Sequence, residues 1–346
     1  MKFAVIGGGN TGQTFAAFLT LQGQEVTLFD RNELKVKNLE ASGIRLQNRL
    51  VGHVHVPVTT SIEEAIRGAS VILVTTTAGG HKEVCQRMKC HLQDGQTIII
   101  MPGYWGALEF SSILGDVWTQ KRIVLAETDT MMLVCRSLES GVIDVKAIKS
   151  KITVGAIPAD QATGVVQQLK HLFPQWEAVS SVLETSLNNT NVTVHPPVML
   201  FNAGRVDAVE PFKFYYQGAT KRTTDYIEQI DQERLRIAVK LGVGAVSLLT
   251  LLNTFYQRDF DDLYDALRTI FSTSIAPLTF SHRYITEDIP YGLVPISELG
   301  RKLGVKTPYT DRLIEIASLY LSKDFRAEGV RLDLDLLERN QQSGAQ

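Results

Sequence analysis

The sequence predicts an α/β fold in two parts: an N-terminal doubly wound sheet followed by a domain built only of helices. Three observations support this prediction. Short apolar runs alternate with helical patterns through the first half of the chain. The earliest apolar run leads into a glycine-rich turn, and strand patterns become rare from Glu184 onward.

The glycine-rich turn occupies residues 7–12, between a strand pattern at residues 3–6 and a helical pattern that continues to Leu21. In this G-x-G-x-x-G spacing the first glycine permits the tight turn, the second lets the backbone approach a pyrophosphate, and the third lets the helix pack close to the strand. The N–H groups at the helix start are available to bind phosphate. The context predicts a dinucleotide-binding (Rossmann) domain rather than an ordinary turn. The predicted cofactor contacts here are Gly7, Gly9, Asn10, Thr11 and Gly12.

The second strand pattern, Glu25–Phe29, ends in Asp30, at the distance from the turn where such domains place an acid. A carboxylate there binds the ribose hydroxyls and disfavours a 2′-phosphate, so NAD is the favoured cofactor. Arg31 could hold that phosphate, stack on adenine, or be a solvated side chain, so NADP stays open.

Further elements follow in order. Glu33–Ser42 is a predicted helix that ends at Gly43. Residues 44–47 and 54–58 are predicted to form a hairpin, and the next helix begins near Ser61. Buried parallel strands are predicted at residues 71–74, 98–101 and 123–126, antiparallel edge strands within 141–154, and a helix at 158–172. Because loops at the carboxyl ends of parallel strands line the ligand crevice, Thr76 is a further predicted cofactor contact.

The second half is predicted to be helical. One helix covers residues 184–205, and another begins with Asp231 as its N-cap. A buried helix covers 241–252, and Thr307-Pro308 opens a further one. The polar tail 340–346 is expected to be frayed. The predicted domains are residues 1–186 and 187–346. Tyr215-Tyr216 and the 241–252 segment fit either a core or an interface, which leaves a homodimer open.

The composition fits a globular two-domain protein, with 346 residues, 44% of them hydrophobic and 21% charged. A net charge of −2 gives no reason to expect nucleic acid or an anionic membrane as a partner. No apolar run suits a signal peptide or a membrane span. The three cysteines form no disulfide framework or zinc spacing, so we expect no metal and a reducing, cytoplasmic location.

A histidine in the second half offers acid/base chemistry. Asn191 and His195 are four residues apart and share one face if helical, and Pro196-Pro197 follow, as in kinked helices beside a cleft. A histidine suits proton transfer because its ordinary pKa of about 6.5 lies near working pH. The same pattern fits a helix-terminal histidine that only binds carbonyl groups.

A polar, aromatic loop at residues 281–292 carries two further candidates. Arg283 can hold a carboxylate through two hydrogen bonds, and Asp288 can orient a histidine and stabilise its cation. The alternative is an exposed Arg283–Asp288 ion pair, worth about 0–1 kcal/mol.

Taken together, these segments resemble the octopine/nopaline (opine) dehydrogenase family over nearly the whole chain. The matching motifs are residues 7–12, Pro102-Gly103, 127–131, Cys135-Arg136, 185–191 with His195-Pro196, Arg283-Tyr284 through Glu287-Asp288 to Pro295, 297–300, Thr307-Pro308, and Asp324-Phe325-Arg326 with Gly329. The chain departs from the pattern at Met101, where similar proteins often carry asparagine.

The resemblance implies a Rossmann domain, a helical domain and a substrate cleft between them. It also implies reductive condensation of an amino acid or amine with a 2-oxo acid to give an N-(carboxyalkyl) amino acid. By the same resemblance His195 is the acid/base, Asp288 its partner and Arg283 a carboxylate ligand. Asn191 contacts substrate or cofactor, and Glu127 and Met131 contact the amino substrate.

Other functions share this two-domain layout. A 2-hydroxyacid, ketopantoate or glycerol-phosphate reductase often has a catalytic lysine on the helix that enters the second domain, but this chain has no lysine between Lys170 and Lys213. An imine reductase is a closer alternative. A non-catalytic NAD-binding regulator would require the histidine and the loop residues to be incidental.

Overall fold

In a computed structural model of the chain, residues 1–332 are described. They divide into two compact units, a first unit (Met1–Thr185) and a helical unit (Ser186–Leu332). Each unit has its own apolar core. No helix within the described residues is long and apolar enough to cross a membrane. The tail 340–346 lies outside the described residues.

The first unit is built on an eight-stranded sheet. The twelve strands of this unit, eight in the large sheet and four in a smaller one, are in chain order β1 (Lys2–Ile6), β2 (Glu25–Phe29), β3 (Ile44–Asn48), β4 (Gly52–Val54), β5 (Val58–Thr59), β6 (Val71–Val74), β7 (Thr97–Ile100), β8 (Val124–Thr128), β9 (Leu133–Glu139), β10 (Val142–Ile148), β11 (Ile152–Ile157) and β12 (Trp176–Ala178). The large sheet has the order β12-β11-β8-β7-β6-β1-β2-β5. All neighbours are parallel except β11, which runs antiparallel to β8. The predicted doubly wound sheet is confirmed.

Helices connect these strands. They are α1 (Asn10–Leu21), α2 (Glu33–Ser42), α3 (Ile62–Ile66), α4 (His81–Met88), α5 (Gly106–Leu114), α6 (Asp116–Gln120), α7 (Gln161–Leu169) and α8 (Val182–Leu187). Asn32 and Ser61 cap α2 and α3, and each side chain accepts a backbone N–H three residues ahead. Phe173 stacks on Trp176 with ring centroids 4.2 Å apart in the core of this unit.

The other four strands form a separate sheet in the order β4-β3-β10-β9, which was not predicted from the sequence. The hairpin is confirmed for β3 and β4, but β4 ends at Val54, and Val58 lies in β5, parallel to β2. Pro57 has no N–H to donate to a ladder, so one strand cannot continue through residues 54–58. Of the predicted edge strands, β11 lies in the large sheet and β10 in the small one.

The helical unit contains only helices and connecting loops, apart from one isolated bridge between Lys213 and Ile275. Its helices are α9 (Thr190–Leu200), α10 (Ala203–Asp207), α11 (Phe214–Gly218), α12 (Lys221–Leu241), α13 (Leu248–Tyr256), α14 (Leu263–Ile270), α15 (Arg283–Thr286), α16 (Val294–Leu303), α17 (Pro308–Leu321) and α18 (Phe325–Glu328). The long helix α12 contacts α9, α14, α16 and α17. The predicted all-helical domain is confirmed.

Three helix predictions in this region are wrong in detail. The single helix at 184–205 is broken into α8, α9 and α10, and the 241–252 helix is interrupted where Gly242 ends α12 in the left-handed conformation. Asp231 is not an N-cap, because α12 begins after Thr220. Its buried carboxylate instead accepts the first N–H of α13, from Leu248, and binds Arg234.

Candidate active site

Helix α9 carries Asn191 and His195 on one face, four residues apart, as predicted. The helix begins after Asn189, whose side-chain oxygen accepts the Asn191 N–H at 3.2 Å. Pro196 and Pro197 lie within the helix and remove two donors from its ladder. Because His195 lies inside α9 and not at its end, the alternative of a helix-terminal histidine is wrong.

Both ring nitrogens of His195 are hydrogen-bonded. Nδ1 lies 2.7 Å from Asp288 Oδ2, and Nε2 lies 3.0 Å from the Tyr215 hydroxyl. The side chain of His195 is 5% exposed and that of Asp288 is 0% exposed. A carboxylate can only accept, so Nδ1 carries the proton, and Nε2 of the neutral ring accepts the Tyr215 hydroxyl. Asp288 therefore fixes the tautomer in which Nε2 takes up and releases protons.

Aromatic rings surround the imidazole. Tyr284 stacks on His195 with ring centroids 3.7 Å apart, and Phe214 lies at 6.1 Å in a tilted arrangement. Tyr215 packs in turn on Phe271, with centroids 4.6 Å apart. Burial, with a smaller effect of Tyr284, raises the pKa of Tyr215 well above its usual value, so the hydroxyl keeps its proton. Two hydrogen bonds and one stacked ring hold the imidazole in a single orientation.

The turn that follows Asp288 packs closely against α9, the helix that carries His195. The residue lies between α15 and a single π-helical turn, Ile289–Leu293. Gly292 lets this turn press against α9, since a Cβ at Gly292 would lie 2.2 Å from Val192 Cγ1. Isolated π-helical turns are frequent at functional sites.

Arg283 is close to the carboxylate of Glu287, four residues further along the chain. Its guanidinium is 3.5 Å from Glu287, and its side chain is 45% exposed. Because Asp288 is fully buried against His195, the alternative of an exposed Arg283–Asp288 pair is wrong. A guanidinium is a planar fork of donors that matches the geometry of a carboxylate.

His282 is the other histidine of the helical unit, and it has a structural task. Its Nδ1 accepts the Tyr284 N–H at 3.3 Å and caps α15. Burial, together with nearby Arg283 and His195, lowers the pKa of His282 to about 4. His282 is therefore neutral near pH 7, and proton exchange falls to His195.

Glu127 and Met131 lie at the carboxyl end of β8. Glu127 is 0% exposed, and its oxygens accept the Thr185 hydroxyl at 2.7 Å and the Ala107 N–H of α5 at 3.0 Å. A Cβ at Gly103 would lie 2.3 Å from Glu127 Cδ. The carboxylate is thus enclosed by residues of the first unit, whereas Met131 is half-buried against the core.

The glycine turn has the geometry that a pyrophosphate requires. Gly7 has a φ of +113°, and a Cβ at Gly12 would lie 1.7 Å from the Gly7 carbonyl oxygen. A Cβ at Gly9 would meet nothing within 4 Å. Helix α1 begins next to Gly9, without a side-chain cap and without an acid in its first turn. The space beside Gly9 and the N–H groups of Asn10 and Thr11 therefore fit a bound diphosphate.

Asp30 is tied to the turn. Its Oδ2 accepts the Gly8 N–H at 3.0 Å and pairs with Lys35 at 2.8 Å, and its Oδ1 accepts the Asn32 N–H at 2.9 Å. Arg31 extends into solvent and pairs with Glu83 at 3.2 Å. The carboxylate is therefore held in place at the end of β2, where a ribose is expected.

Thr76 adjoins the same turn. Its Cγ2 would lie 3.0 Å from a Cβ at Gly7. Its hydroxyl oxygen is buried and has no hydrogen-bond partner within residues 1–332. An orphaned hydroxyl beside the glycine turn fits a nucleotide ligand, because buried hydroxyls are nearly always hydrogen-bonded.

Three residues of this arrangement were not predicted: Tyr215, Tyr284 and Lys35. Tyr284 follows Arg283 in the Arg283-Tyr284 motif, and this motif could have identified it as a residue of the site. Tyr215 was predicted only as a core or interface residue. It is 20 residues from His195 in the sequence, and no local pattern predicts a contact over that separation. Lys35 lies in the first turn of α2, and no periodic pattern marks it as a partner of Asp30.

Two family models match the chain. Residues 178–321 match NAD/NADP octopine/nopaline dehydrogenase, alpha-helical domain, and residues 3–158 match ketopantoate reductase PanE/ApbA. The chain is 34% identical to the opine dehydrogenase of Arthrobacter sp. (strain 1C) over 337 residues, which cover 96% of this chain and 94% of that protein. It is 27% identical to the octopine dehydrogenase of Pecten maximus, with 97% and 94% covered.

Solved structures show the same likeness. Octopine dehydrogenase with NADH and L-arginine superposes with a TM-score of 0.76 and 25% identity, over 93% of this chain and 90% of that chain. Yersinopine dehydrogenase superposes with a TM-score of 0.79 over 99% of this chain and 98% of that chain. At 14% identity, the second likeness shows the fold alone.

Proposed function

This chain belongs to the opine dehydrogenase family, and from that premise we propose which of its side chains carry the reaction. The protein is an NAD(P)-dependent dehydrogenase acting on CH–NH bonds. It catalyses the reductive condensation of an amino acid with a 2-oxo acid to an N-(carboxyalkyl) amino acid. The observation that carries our assignment of residues is the buried 2.7 Å hydrogen bond between His195 and Asp288.

The reaction needs a proton at a defined atom. A 2-oxo acid and an amine form a carbinolamine, which loses water to give an imine, and hydride then adds to the imine carbon. NAD(P)H supplies this hydride when it is bound. Departure of the hydroxyl requires protonation near neutral pH, and His195 as an imidazolium is the proposed source of the proton. Asp288 stabilises that cation through Nδ1.

Substrate binding is proposed for the side chains around this pair. Arg283 holds the carboxylate of the 2-oxo acid through its exposed guanidinium, which fixes the orientation of the reacting carbon. Asn191, on the same face of α9 as His195, contacts substrate or cofactor. Met131 contacts the amino substrate. For Glu127 we propose a positioning role through α5 and Thr185, because its carboxylate is fully buried and already hydrogen-bonded.

Replacement of Asp288 with asparagine is expected to lower kcat/KM on the order of 10³-fold or more, since an amide no longer fixes the tautomer or stabilises the imidazolium. NADH oxidation in the presence of both substrates measures this. Asp259→Asn is the control, because Asp259 is exposed in the same unit. An Asp288→Asn enzyme as fast as the Asp259→Asn control would remove Asp288 from the mechanism.

The cofactor is proposed to bind at Gly7, Gly9, Asn10, Thr11, Gly12, Asp30 and Thr76, with Arg31 at the rim. NAD is favoured over NADP.

Asp30→Ala is expected to weaken NADH binding more than NADPH binding, because a 2′-phosphate is repelled by the carboxylate and a ribose hydroxyl is bound by it. Fluorescence titration with both cofactors measures the ratio. Glu33→Ala, which removes an exposed acid nearby, should leave the ratio unchanged; a ratio equally unchanged in Asp30→Ala would contradict the choice of NAD.

The activity itself is tested by combining amines with 2-oxo acids and following NADH and NADPH absorbance. Oxidation that requires both an amino acid and a 2-oxo acid supports condensation. Oxidation with a preformed cyclic imine alone would favour an imine reductase, and oxidation with a 2-oxo acid alone would favour a hydroxyacid reductase. Absence of any oxidation would favour the NAD-binding regulator.

We also propose a domain boundary, a location in the cell and an oligomeric state. We propose a domain boundary between residues 186 and 187, next to the division of the chain into two compact units after Thr185. A cytoplasmic location is supported by three free cysteines, Cys85, Cys90 and Cys135. A homodimer is proposed on the 43% exposed side chain of Tyr216, one of the residues predicted to lie in a core or an interface.

A further inference from the structure

We propose that the Tyr215 hydroxyl is a further catalytic group, which passes the proton between His195 Nε2 and the substrate oxygen that leaves as water. This inference rests on the acid/base role proposed above for His195. It assigns to Tyr215 a task that neither the sequence motifs nor the comparisons indicate.

The positions of the two hydrogen bonds carry the inference. An imidazole has one in-plane proton position at each ring nitrogen. Asp288 takes the position at Nδ1, and the Tyr215 oxygen takes the position at Nε2, 3.0 Å away. With Tyr284 stacked on the ring, rotation of the imidazole towards another partner is hindered. In this arrangement the proton path from Nε2 leads through the Tyr215 oxygen.

A hydroxyl suits this position because it donates and accepts at the same time. The carbinolamine C–O bond breaks as the nitrogen lone pair forms the C=N bond. The departing oxygen takes the Tyr215 proton and becomes water, while Tyr215 regains a proton from Nε2–H of the His195 cation. Tyr215 ends as a neutral phenol and His195 as a neutral imidazole, so no oxidant or reductant is consumed. The phenol remains neutral before and after the step, in keeping with the raised pKa of Tyr215.

Packing against other aromatic rings explains the position of the Tyr215 ring but does not require a hydroxyl that points at His195. The ring lies edge-on to Phe214 at 4.8 Å and packs on Phe271. A phenylalanine could make these contacts. Tyr256 offers the matched comparison, because it is a largely buried tyrosine that packs on the same Phe271, with centroids 5.4 Å apart. Burial raises the pKa of Tyr256 as well.

The first experiment compares Tyr215→Phe with Tyr256→Phe in the full-length enzyme. The probes are NADH, pyruvate and the amino acid that gives the fastest NADH oxidation in the substrate panel. Tyr215→Phe is expected to lower the single-turnover rate by about 10²-fold or more, with KM for both substrates changed less than about threefold. Tyr256→Phe should retain the wild-type rate. A wild-type rate in Tyr215→Phe, or an equal loss in both variants, would overturn the proposal.

A second measurement decides the matter if Tyr215→Phe does not fold. Fluorinated tyrosines incorporated at position 215 lower the pKa of the phenol with little change in shape. A relay predicts that the single-turnover rate changes progressively along the series, since proton transfer follows Brønsted behaviour. A rate that does not vary would overturn it. An inactive His195→Ala variant beside a fully active Tyr215→Phe variant would refute the relay while leaving the proposed function intact.

Discussion

Replacement of His195 with alanine is expected to slow single-turnover condensation by ~10²–10⁴-fold, the usual contribution of a positioned acid/base group. The change also leaves the Asp288 carboxylate buried without its imidazole, which costs about 1–3 kcal/mol or more in unfolding free energy. His195→Gln separates the two effects, because an amide can still donate to Asp288 but cannot carry a proton to substrate. Both variants are expected to be slow, and the glutamine variant should be the more stable.

The measurement is stopped-flow NADH absorbance, with thermal unfolding recorded for each variant. NADH affinity, followed by fluorescence, should stay close to the wild-type value because the proposed cofactor contacts lie in the first unit. His282→Asn is the matched control: asparagine preserves an N-cap acceptor at α15, and the rate should be near wild type. A stable His195→Gln variant with the wild-type rate would exclude His195 as the acid/base.

A methyl group at Gly12 is expected to disrupt the first unit. The added Cβ would lie 1.7 Å from the Gly7 carbonyl oxygen and 2.9 Å from the Gly7 carbonyl carbon. Both are backbone atoms of the tight turn, so strand and helix must separate. Overpacking of this kind costs about 1–3 kcal/mol, and more when backbone must move. Gly12→Ala should therefore lower the unfolding free energy by about 3 kcal/mol or more and abolish measurable NADH binding.

Gly9→Ala is the matched control for this prediction. Its Cβ meets no atom within 4 Å and its φ is −73°, so the fold should keep its stability. The methyl group nevertheless enters the space proposed for the pyrophosphate. NADH affinity should fall about tenfold, equivalent to ~1.4 kcal/mol. Denaturant unfolding and NADH titration of the two variants test both statements; equal stability of Gly9→Ala and Gly12→Ala would contradict the packing argument.

Local signals explain the correct predictions. The turn at residues 7–12 is recognisable because strand, glycines and helix follow one another within a few residues, and each glycine has its own steric reason. The Asn191–His195 face was predictable because four-residue spacing has one meaning on a helix. The His195–Asp288 pair was named from a family resemblance, and no local pattern could supply it, since 93 residues separate the two positions.

Tertiary partners explain the failures. Asn188 interrupts the predicted helix at 184–205; its side-chain oxygen accepts Arg234 and the Val246 N–H, both far along the chain. The residues around Asp231 are typical of an N-cap. Asp231 instead lies within α12, and its carboxylate accepts the N–H of Leu248 at the start of α13. In each case the neighbouring sequence gives no sign of the partner, because the polar side chain binds a group that is close to it only in the folded protein.

The groups that hold His195 in place are supplied by one segment of the chain. Asp288, Tyr215 and Tyr284 all lie within Ser186–Leu332, whereas the glycine turn and Asp30 lie within Met1–Thr185. Acid/base chemistry and nucleotide choice can therefore diverge separately during evolution. In a chimera of two relatives joined at this division, proton handling should be inherited from the parent of the helical unit and coenzyme preference from the parent of the first unit.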